Sequence, residues 1–384
     1  DSENLFLDRR EFAFGALKPG EKRTWLTQVK LPKDLTSRRD ELKIRFYDDQ
    51  GQLPETLASE LSFVEAARPS FAFDWQIIDD CAQCNGDGLV QRGEHVTLLL
   101  DVKNVGEGKA LDSFAQIKNV ADPNVFIEKG RFKLGAMAPG ETKTARFQLE
   151  VKKGYSGSSF PLKLAIIDEP LEEFSTEKLL LQVGDSAAPV EARKGTLKAP
   201  EKTELFDSGQ PDAKEIAVLP KGGLLNALGT VGTFFKVELD KDRFAFVRQS
   251  DVKEARAATA GKTLSSKEVE YVSFRVPPRI NLNVDPSQGG TVVNAEKFTL
   301  SGTVTNVKTL LDMYVLVNDK KVFFKSASPA ESTQAKFRFS TDFSLKEGNN
   351  YVLVVARESP EFAGRRTLVI RRRPAAVAQK LSTP

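Results

Sequence analysis

The sequence predicts an all-β protein made of tandem β-sandwiches and one small barrel, arranged like beads on a string. Short segments such as residues 96–102 and 145–151 alternate apolar and polar side chains. This period of two is typical of strands with one buried face. Gly, Pro, Asn and Asp separate the segments at spacings of roughly 8–12 residues, which favours sandwiches or small barrels. Long stretches of helical periodicity are absent from the sequence.

One segment of the chain occurs twice. The sequence reads FGALKPGEKRT at residues 14–24 and LGAMAPGETKT at residues 134–144. The glycines Gly15 and Gly135 fix the offset at 135 − 15 = 120 residues. In both copies Pro-Gly-Glu predicts a turn before a strand, with Gly at the position that needs a positive φ.

The same register continues beyond the motif, because residues 43–48 match residues 163–168. We therefore expect a truncated first repeat over residues 1–66 and a complete second repeat over residues 69–184. We interpret the truncation to mean that Asp1 is not the natural start of the polypeptide. The chain would then be the carboxyl-terminal part of a larger protein, with any catalytic domain upstream.

Composition and charge exclude several classes of function. A chain of 384 residues corresponds to about two to four domains, and 40% hydrophobic residues are enough for packed cores. The 56 basic and 53 acidic residues leave a net charge of +3, which gives no reason to expect nucleic acid or a membrane surface as a partner. There is no run of about 18 apolar residues, so we expect no membrane insertion. The single histidine, His95, leaves one imidazole for acid–base chemistry.

The segments after the second repeat have a different rhythm. Residues 185–200 are rich in Ala, Pro, Lys and Glu and predict a linker. A strand then ends in the turn Pro-Lys-Gly-Gly at residues 220–223, a hairpin follows, and Asp-Val closes the segment. These features of residues 201–256 resemble a bacterial SH3-like barrel, with Ala245-Phe246 in place of the usual glycine-tryptophan. Phe235 and Phe246 are candidates to line a peptide-binding groove, and a place in the barrel core is their alternative.

Residues 277–373 alternate again. Strand-like segments lie at residues 298–304, 337–345 and 347–357, and Asn318-Asp319 predicts a hairpin turn between the Val-rich strands of residues 315–322. This segment resembles an immunoglobulin-like module of the kind appended to bacterial surface proteins and glycosidases.

The chain ends in three arginines, Arg371 to Arg373, and an Ala-rich segment at residues 374–384. We interpret this end as a solvated, flexible tail, with nucleic-acid binding as the alternative. Because charge is balanced elsewhere in the chain, we expect no nucleic-acid partner.

The densest polar cluster lies at residues 79–94, which contain Asn-Gly-Asp-Gly and then Gly-Glu. This pattern resembles the opening loop of bacterial adhesion-type immunoglobulin-like domains of the CARDB kind. Carboxylate and amide oxygens are the hard donors that calcium prefers, so Asn85, Asp87 and Glu94 are candidate calcium ligands. On an EF-hand loop the first position would fall on Gln83, a poor ligand, and no flanking helices are predicted. The alternative is an Asx-rich turn that binds no metal.

Cys81 and Cys84 lie in the same loop and are the only cysteines. In an oxidising compartment they would form a local disulfide that stiffens the loop. Free buried thiols are one alternative. A zinc site is another, completed by His95 with Asp79, Asp80 or Asp87. We expect His95, at the start of a strand, to be a partly exposed strand residue.

The order of two CARDB-like sandwiches, an SH3-like barrel and an immunoglobulin-like end resembles the accessory tail of bacterial C-terminal processing serine peptidases that carry a PDZ domain. The resemblance implies an extracytoplasmic setting, either the periplasm of a Gram-negative bacterium or secretion. None of that family's catalytic residues maps onto this chain. We therefore expect a non-catalytic binding or spacer module with protein or cell-envelope partners and no cofactor other than calcium. A structural subunit of an extracytoplasmic assembly is the alternative, and a hydrolase in its own right ranks last.

Overall fold

The computed structural model describes residues 10–120, 122–185, 189–240, 243–255, 269–284, 289–306, 308–328 and 336–373. These residues form strands β1 to β27 and two three-residue 3-10 helices, Glu169–Leu171 and Gln249–Asp251. The prediction of an all-β protein with tandem sandwiches is confirmed. No helix among the described residues has the length and apolar character needed to cross a membrane.

The described residues of the first repeat, 10–66, form one antiparallel hairpin, made of β1 (Arg38–Asp48) and β2 (Gly51–Phe63). The described residues ahead of it, 10–37, contain turns at residues 19–20 and 33–34 but no strand. The first of these turns matches its counterpart in the second repeat, since Gly20 and Gly140 both have φ of 81°. Glu21 and Glu141 each accept a hydrogen bond from the backbone N–H three residues earlier, at 2.9 and 2.8 Å. The duplicated motif therefore folds into the same turn twice.

The second repeat is a two-layer sandwich that falls inside the predicted interval 69–184. One sheet has the order β4-β11-β10-β6-β8, and the other has the order β3-β5-β9-β7. Large side chains such as Leu98, Phe147 and Phe160 are fully buried between the layers. The strands are β3 (Phe71–Ile78), β4 (Val90–Gln91), β5 (His95–Asn104), β6 (Ala110–Asn119), β7 (Val125–Lys129), β8 (Arg131–Met137), β9 (Thr142–Val151), β10 (Ser159–Asp168) and β11 (Glu173–Gly184).

The next part, which we call the eight-stranded module (residues 189–277), is a single sheet ordered β18-β12-β15-β16-β17-β13-β14-β19. Its strands are β12 (Glu191–Lys198), β13 (Thr203–Phe206), β14 (Glu215–Leu219), β15 (Leu224–Val231), β16 (Phe234–Asp240), β17 (Arg243–Arg248), β18 (Lys253–Glu254) and β19 (Glu270–Tyr271). The interval expected as a linker, 185–200, thus holds β12, which pairs with β15 and β18. Its Ala- and Lys-rich composition hid a strand because most of its side chains are exposed, while Leu197 is buried in the module core.

The last part, which we call the terminal sandwich (residues 278–373), has two sheets with orders β20-β22-β25 and β21-β27-β26-β23-β24. Asn318 and Asp319 have φ of 47° and 64°, so the predicted tight hairpin turn is confirmed. Phe337, Phe339 and Val354 belong to its core. The strands are β20 (Arg279–Leu282), β21 (Thr291–Val293), β22 (Lys297–Thr305), β23 (Asp312–Val317), β24 (Lys320–Ser326), β25 (Lys336–Ser344), β26 (Gly348–Arg357) and β27 (Ala363–Arg372).

The chain divides into two compact units that do not follow the sequence order. One unit combines Asp1–Ala67 with Pro278–Pro384, and the other is Arg68–Pro277. The first repeat therefore belongs with the terminal sandwich, and the second repeat belongs with the eight-stranded module. The predicted arrangement of independent modules along the chain is therefore corrected to two composite units. Within each unit, charged and polar side chains join two modules.

The three arginines expected in a solvated tail are part of the fold. Arg371 and Arg372 lie in β27, and Arg371 is 5% exposed. Arg371 Nη2 lies 3.5 Å from Glu41, and Arg373 Nη2 donates to Glu60 at 3.0 Å. The tail prediction is wrong for these residues, because the first repeat supplies carboxylates to Arg371 and Arg373, and Arg372 donates to the backbone carbonyl of Leu345 at 2.9 Å. The rest of the predicted tail, 374–384, lies outside the described residues.

Candidate functional site

The structure brings the three candidate calcium ligands together in one loop, residues 79–94, which we call the acidic loop. Asn85 and Asp87 form an Asx turn, in which Asn85 Oδ1 accepts from the backbone N–H of Asp87 at 3.1 Å. Asp87 Oδ1 accepts from Leu89 N at 2.9 Å, and both Asp87 oxygens accept from the Gln91 amide. Each oxygen of this carboxylate thus receives hydrogen bonds from within the loop.

Glu94 closes the loop from its far end. Its Oε1 accepts from Asn85 N at 3.1 Å and its Oε2 accepts from Gln91 N at 2.9 Å. Burial raises the pKa of Glu94, and these two backbone donors oppose the rise. The loop therefore holds its acidic side chains through its own N–H groups. Calcium binding at Asn85, Asp87 and Glu94 stays a prediction.

A lysine from the eight-stranded module enters the acidic loop. Lys236, on β16, is 7% exposed, and its Nζ donates to Gly86 O at 2.8 Å. The same ammonium lies 3.9 Å from Asp79, which is 2% exposed and accepts from Gly88 N at 3.1 Å. The Lys236 ammonium thus places one positive charge inside the acidic loop.

Burial sets the titration of this pair. It raises the pKa of Asp79 to about 7, with the Lys236 ammonium acting in the opposite direction. It also lowers the pKa of Lys236, although the aspartates of the loop oppose that change. Both pKa shifts arise because burial away from water destabilises the charged forms of Asp79 and Lys236.

The acidic loop packs tightly on the eight-stranded module. Gly88 has φ of 87°, and a Cβ there would lie 2.4 Å from Asp207 O and 2.9 Å from the Phe246 ring. Backbone bonds join the same two surfaces, because Asp87 O accepts from Gly209 N at 2.9 Å and Asn85 O accepts from Val190 N at 2.8 Å. The glycine of Asp-Gly is therefore required for close approach as well as for the turn.

Cys81 and Cys84 form a disulfide at the start of the acidic loop, as the spacing predicts. No free cysteine remains, so the structure does not contain the free thiols of the first alternative or the thiolate ligands that a zinc site would need.

His95 begins β5 and is exposed, in keeping with the expectation. Its Nδ1 lies 2.9 Å from Glu128 Oε1. Together with Glu150 on the adjacent β9, the three potential ligand atoms lie within 4.8 Å of one another on the sheet surface. Exposed acidic groups are common without a metal, so this cluster assigns no function by itself.

The expected peptide groove has to be corrected. Phe235 is 6% exposed and belongs to the core of the eight-stranded module. Phe246 is 1% exposed and packs with Phe206 and Phe234 in a second small cluster. Neither ring lines an open surface, because both point into apolar interiors, and Phe246 also lies against Gly88.

Sequence reasoning missed the set of ion pairs that joins the second repeat to the eight-stranded module. Arg243 donates to both oxygens of Asp101, at 2.5 and 2.9 Å, and Lys214 Nζ donates to Asp74 at 2.8 Å. These partners are separated by 142 and 140 residues in sequence, so no local pattern could have indicated them. The surrounding cavity measures about 10 Å³, which leaves room for a single water molecule.

The fold and its junctions define a multi-module all-β protein of tandem sandwiches. No family model matches the chain, and no curated protein matches it. Among solved structures, it is similar to the fibronectin(III)-like modules of CbhA from Clostridium thermocellum, at 12% identity and a TM-score of 0.22, over 60% of this chain and 90% of that chain. It is also similar to dimeric latent PorU from Porphyromonas gingivalis, at 9% identity and a TM-score of 0.19, over 78% of this chain and 34% of that chain.

A third likeness is to the extracellular cadherin domains 3–6 of protocadherin gamma B2. It has 10% identity and a TM-score of 0.19, over 88% of this chain and 84% of that chain. Similarities at this level carry no argument about function, which has to be argued from the residues themselves.

Proposed function

We propose that this chain is a non-catalytic binding and spacer module of a larger extracytoplasmic protein, which it joins to protein or envelope partners. The observation that carries the proposal is the way its modules are joined. In the unit Arg68–Pro277, carboxylates of the second repeat meet cations of the eight-stranded module, including Asp101 with Arg243 and Glu177 with Arg275. Paired, partly buried charges fix orientation between modules. Modules with a fixed relative orientation within a unit can hold a neighbouring domain of the parent protein at a defined position.

The chemistry of the described residues supports a role without catalysis. The single histidine is exposed on a strand and contacts Glu128. The buried pair of Asp79 and Lys236 is occupied with holding the acidic loop. The Cys81–Cys84 disulfide supports an oxidising, extracytoplasmic compartment.

The parent protein in this proposal is a PDZ-containing C-terminal processing serine peptidase of a Gram-negative periplasm or of secreted material. The order of modules along the sequence supports it. The test is to read the complete coding region upstream of residue 1, where we expect a PDZ domain and a Ser–Lys catalytic domain. An upstream region that encodes neither would refute the peptidase parent.

The absence of catalysis is tested on the purified chain. We expect no hydrolysis of casein or of unstructured peptides by this chain, and hydrolysis by the parent. Activity of the isolated chain that disappears on substitution of one of its own Ser or Lys residues would overturn the proposal.

The alternative, a structural subunit of an extracytoplasmic assembly, is favoured by one observation. The first repeat leaves large apolar side chains exposed, among them Trp25 at 55% and Leu57 at 57%. Migration with other subunits on native sizing of the periplasmic fraction would support this alternative, whereas migration with the intact parent alone supports the spacer.

A further inference from the structure

Up to Arg45, the hairpin of the first repeat has the same register as that of the second repeat, and a register shift follows between Arg45 and Tyr47. Ile44 pairs with Leu57 in the first, and Leu164 pairs with Glu177 in the second, at the shared offset of 120 residues. The same offset relates a second pair, since Asp40 pairs with Leu61 in the first repeat and Phe160 pairs with Leu181 in the second. Equivalent residues of the two repeats can therefore be compared directly.

Positions that are buried in the second repeat are exposed in the first. Leu164 and Ile166 on β10 are both 0% exposed. Their equivalents on β1, Ile44 and Phe46, are 42% and 39% exposed. Both are large apolar residues at positions whose equivalents are fully buried in the second repeat.

The segment ahead of the hairpin shows the same contrast. Ala145 and Met137 are 0% exposed in the second repeat, whereas their equivalents Trp25 and Leu17 are 55% and 48% exposed. Two further equivalent positions agree, with Phe14 exposed where Leu134 is buried and Leu31 exposed where Val151 is buried. We call the exposed residues Phe14, Leu17, Trp25, Leu31, Ile44 and Phe46 the uncovered face.

The second repeat shows what lies over the equivalent residues. There β9 is hydrogen-bonded to β5 and β7, while β6 is inserted between β10 and β8. In the described part of the first repeat, β1 has only β2 as a strand partner, and residues 22–31 form no strand. At the offset of 120, the equivalents of β3 to β6 fall ahead of residue 1, while residues 11–17 and 22–31, the equivalents of β8 and β9, are present without forming strands.

A two-stranded hairpin with one apolar face is at best marginally stable in water, and further strands are needed to cover it. We propose that the uncovered face is a docking surface for a half-sandwich of the second repeat's own kind, carried by the parent polypeptide ahead of the first repeat. The occupant is a set of antiparallel strands equivalent to β3, β5 and β6, with apolar residues at alternate positions. This inference rests on the proposed function, since it places the docking strands in the parent.

Edge hydrogen bonds favour this occupant over a second copy of the chain. Two copies packed face to face would cover Ile44 and Phe46, but would leave the outer edge of β1 without a strand partner. Strands equivalent to β6 and β5 would pair with β1 and with residues 22–31 and would also cover the apolar face, as they do in the second repeat.

The experiment uses the repeat's own sequence as the donor. Residues 71–120 are duplicated and fused directly ahead of residue 1, which keeps the offset of 120, because residue 1 corresponds to residue 121. A matched control carries the same prefix with Leu98, Leu100 and Val102 of the duplicated copy replaced by Asp. We expect the native prefix to slow amide exchange at residues 22–31 and 38–48 by about tenfold or more, and the control prefix to leave it unchanged.

Tryptophan fluorescence gives a second readout. With Trp75→Phe, Trp25 is the one tryptophan left in the original chain, and in the duplicated prefix the equivalent of Trp75 is also replaced by Phe. We expect a blue-shifted emission and weaker acrylamide quenching with the native prefix only.

Two results would overturn the proposal. Unchanged exchange and unchanged Trp25 emission with the native prefix would show that this kind of half-sandwich does not dock. A dimer of the unfused chain whose residues 38–48 are already protected would identify a second copy as the occupant. Neither result depends on which domains the upstream coding region encodes, so failure of the peptidase parent remains separately detectable.

Discussion

At the scale of single residues, the ammonium of Lys236 organises the loop whose sequence predicts a calcium site. It is buried, it donates to Gly86 O at 2.8 Å and it lies 3.9 Å from Asp79. Removing one member of a buried, hydrogen-bonded pair leaves the other desolvated and uncompensated. Stability of the acidic loop should therefore depend on Lys236 itself.

We expect Lys236→Met to reduce the free energy of unfolding of the unit Arg68–Pro277 by about 2–4 kcal/mol, because Asp79 and Gly86 O lose a buried partner. The measurement is urea unfolding followed by circular dichroism. Lys221→Met is the matched control, since Lys221 pairs with Glu201 on the surface at 2.8 Å, and its loss should cost less than about 1 kcal/mol. Equal effects of both substitutions would contradict a structural role for the buried cation.

Calcium offers a sharper test of the same loop. If calcium binds at Asn85, Asp87 and Glu94, calorimetric titration of the chain should give saturable binding that Asp87→Asn weakens at least about tenfold. Binding should tighten in Lys236→Met, because a competing positive charge has been removed. Heats that show no saturable binding in either protein would leave the acidic loop as a turn held by its own hydrogen bonds.

Asp79 predicts a pH dependence of stability. Its pKa is about 7 in the folded chain, above the value of about 4 that an unfolded aspartate has. Between these values the folded state binds the proton and the unfolded state does not, so stability decreases as pH rises from about 4 to about 7. Asp79→Asn should remove this decrease, which we expect to be roughly 2–4 kcal/mol.

The measurement is the free energy of unfolding at several pH values between 4 and 8. Asp212→Asn, at an exposed position, is the control and should keep the decrease of the parent sequence. A decrease that persists in Asp79→Asn would show that other groups produce it.

At the scale of elements, the modules meet through carboxylates on one side and cations on the other. In the unit Arg68–Pro277 the second repeat contributes the carboxylates and the eight-stranded module contributes the cations. Pairs of this kind between described residues include Asp74–Lys214, Asp79–Lys236, Asp101–Arg243 and Glu177–Arg275. Opposite charges on two surfaces favour one docking register and disfavour others.

The bidentate Asp101–Arg243 pair should contribute most to this junction. Burial alone would lower the pKa of Arg243, but the Asp101 carboxylate outweighs it and the pKa rises. We expect a double-mutant cycle with Asp101→Asn and Arg243→Met to give a coupling energy of about 1–3 kcal/mol in urea unfolding. The exposed Glu201–Lys221 pair serves as the control cycle and should give less than about 1 kcal/mol. Additive effects at Asp101 and Arg243 would show that the pair does not join the modules.

The Cys81–Cys84 disulfide should make a small contribution, because it closes a loop of only a few residues. Chain-entropy arguments give roughly 2 kcal/mol for such a loop. Intact mass should rise by about 2 Da on reduction, as two hydrogens are added. The double variant Cys81→Ser/Cys84→Ser should lower the melting temperature by a few degrees and abolish the effect of reductant on it. An unchanged mass on reduction would mean that the bridge is not formed in the isolated protein.

At the scale of the whole molecule, sequence neighbours are not always packing partners. The first repeat and the terminal sandwich form one compact unit, although the whole of Arg68–Pro277 lies between them in sequence. Asp40, which is 0% exposed, accepts from Arg38 at 2.9 and 3.0 Å and from Asn349 Nδ2 at 2.6 Å. Glu65 accepts from Arg366 at 2.6 Å. These bonds join β1 and the end of the first repeat to β26 and β27.

We expect Asp40→Asn to destabilise the first repeat and the terminal sandwich together, by about 2–3 kcal/mol, because one buried carboxylate serves both. Amide exchange at β1, β26 and β27 is the measurement. Asp48→Asn, at the exposed tip of the hairpin, is the control and should change exchange only near the tip. Faster exchange confined to β1 in Asp40→Asn would show that the terminal sandwich is stable without this contact.

The sequence predicted most of the secondary structure, because strand periodicity and turn chemistry are local. The strands at residues 96–102, 145–151 and 298–304 lie within β5, β9 and β22. The turn at Asn318-Asp319 was also predictable from residue type. β12 was missed because its side chains are mainly exposed and only Leu197 marks its buried face.

The candidate site was predictable only in part. Asn85, Asp87 and Glu94 were found because they are close in sequence, and the loop does bring them together. Lys236 could not be found, since it comes from a strand far along the chain. Phe235 and Phe246 were ambiguous, because an aromatic residue on a strand has the same pattern whether it faces a groove or a core.

By itself the sequence determined the all-β class, the duplicated turn and the offset of 120 residues between repeats. These follow from backbone preferences and from alternation of side chains, which act over a few residues. Only the tertiary structure decided which modules share a unit, which carboxylates meet which cations, and that Ile44 and Phe46 stay uncovered where Leu164 and Ile166 are buried. Burial and charge pairing depend on distance in space, and residues as far apart as Asp40 and Asn349 come into contact only when the chain has folded.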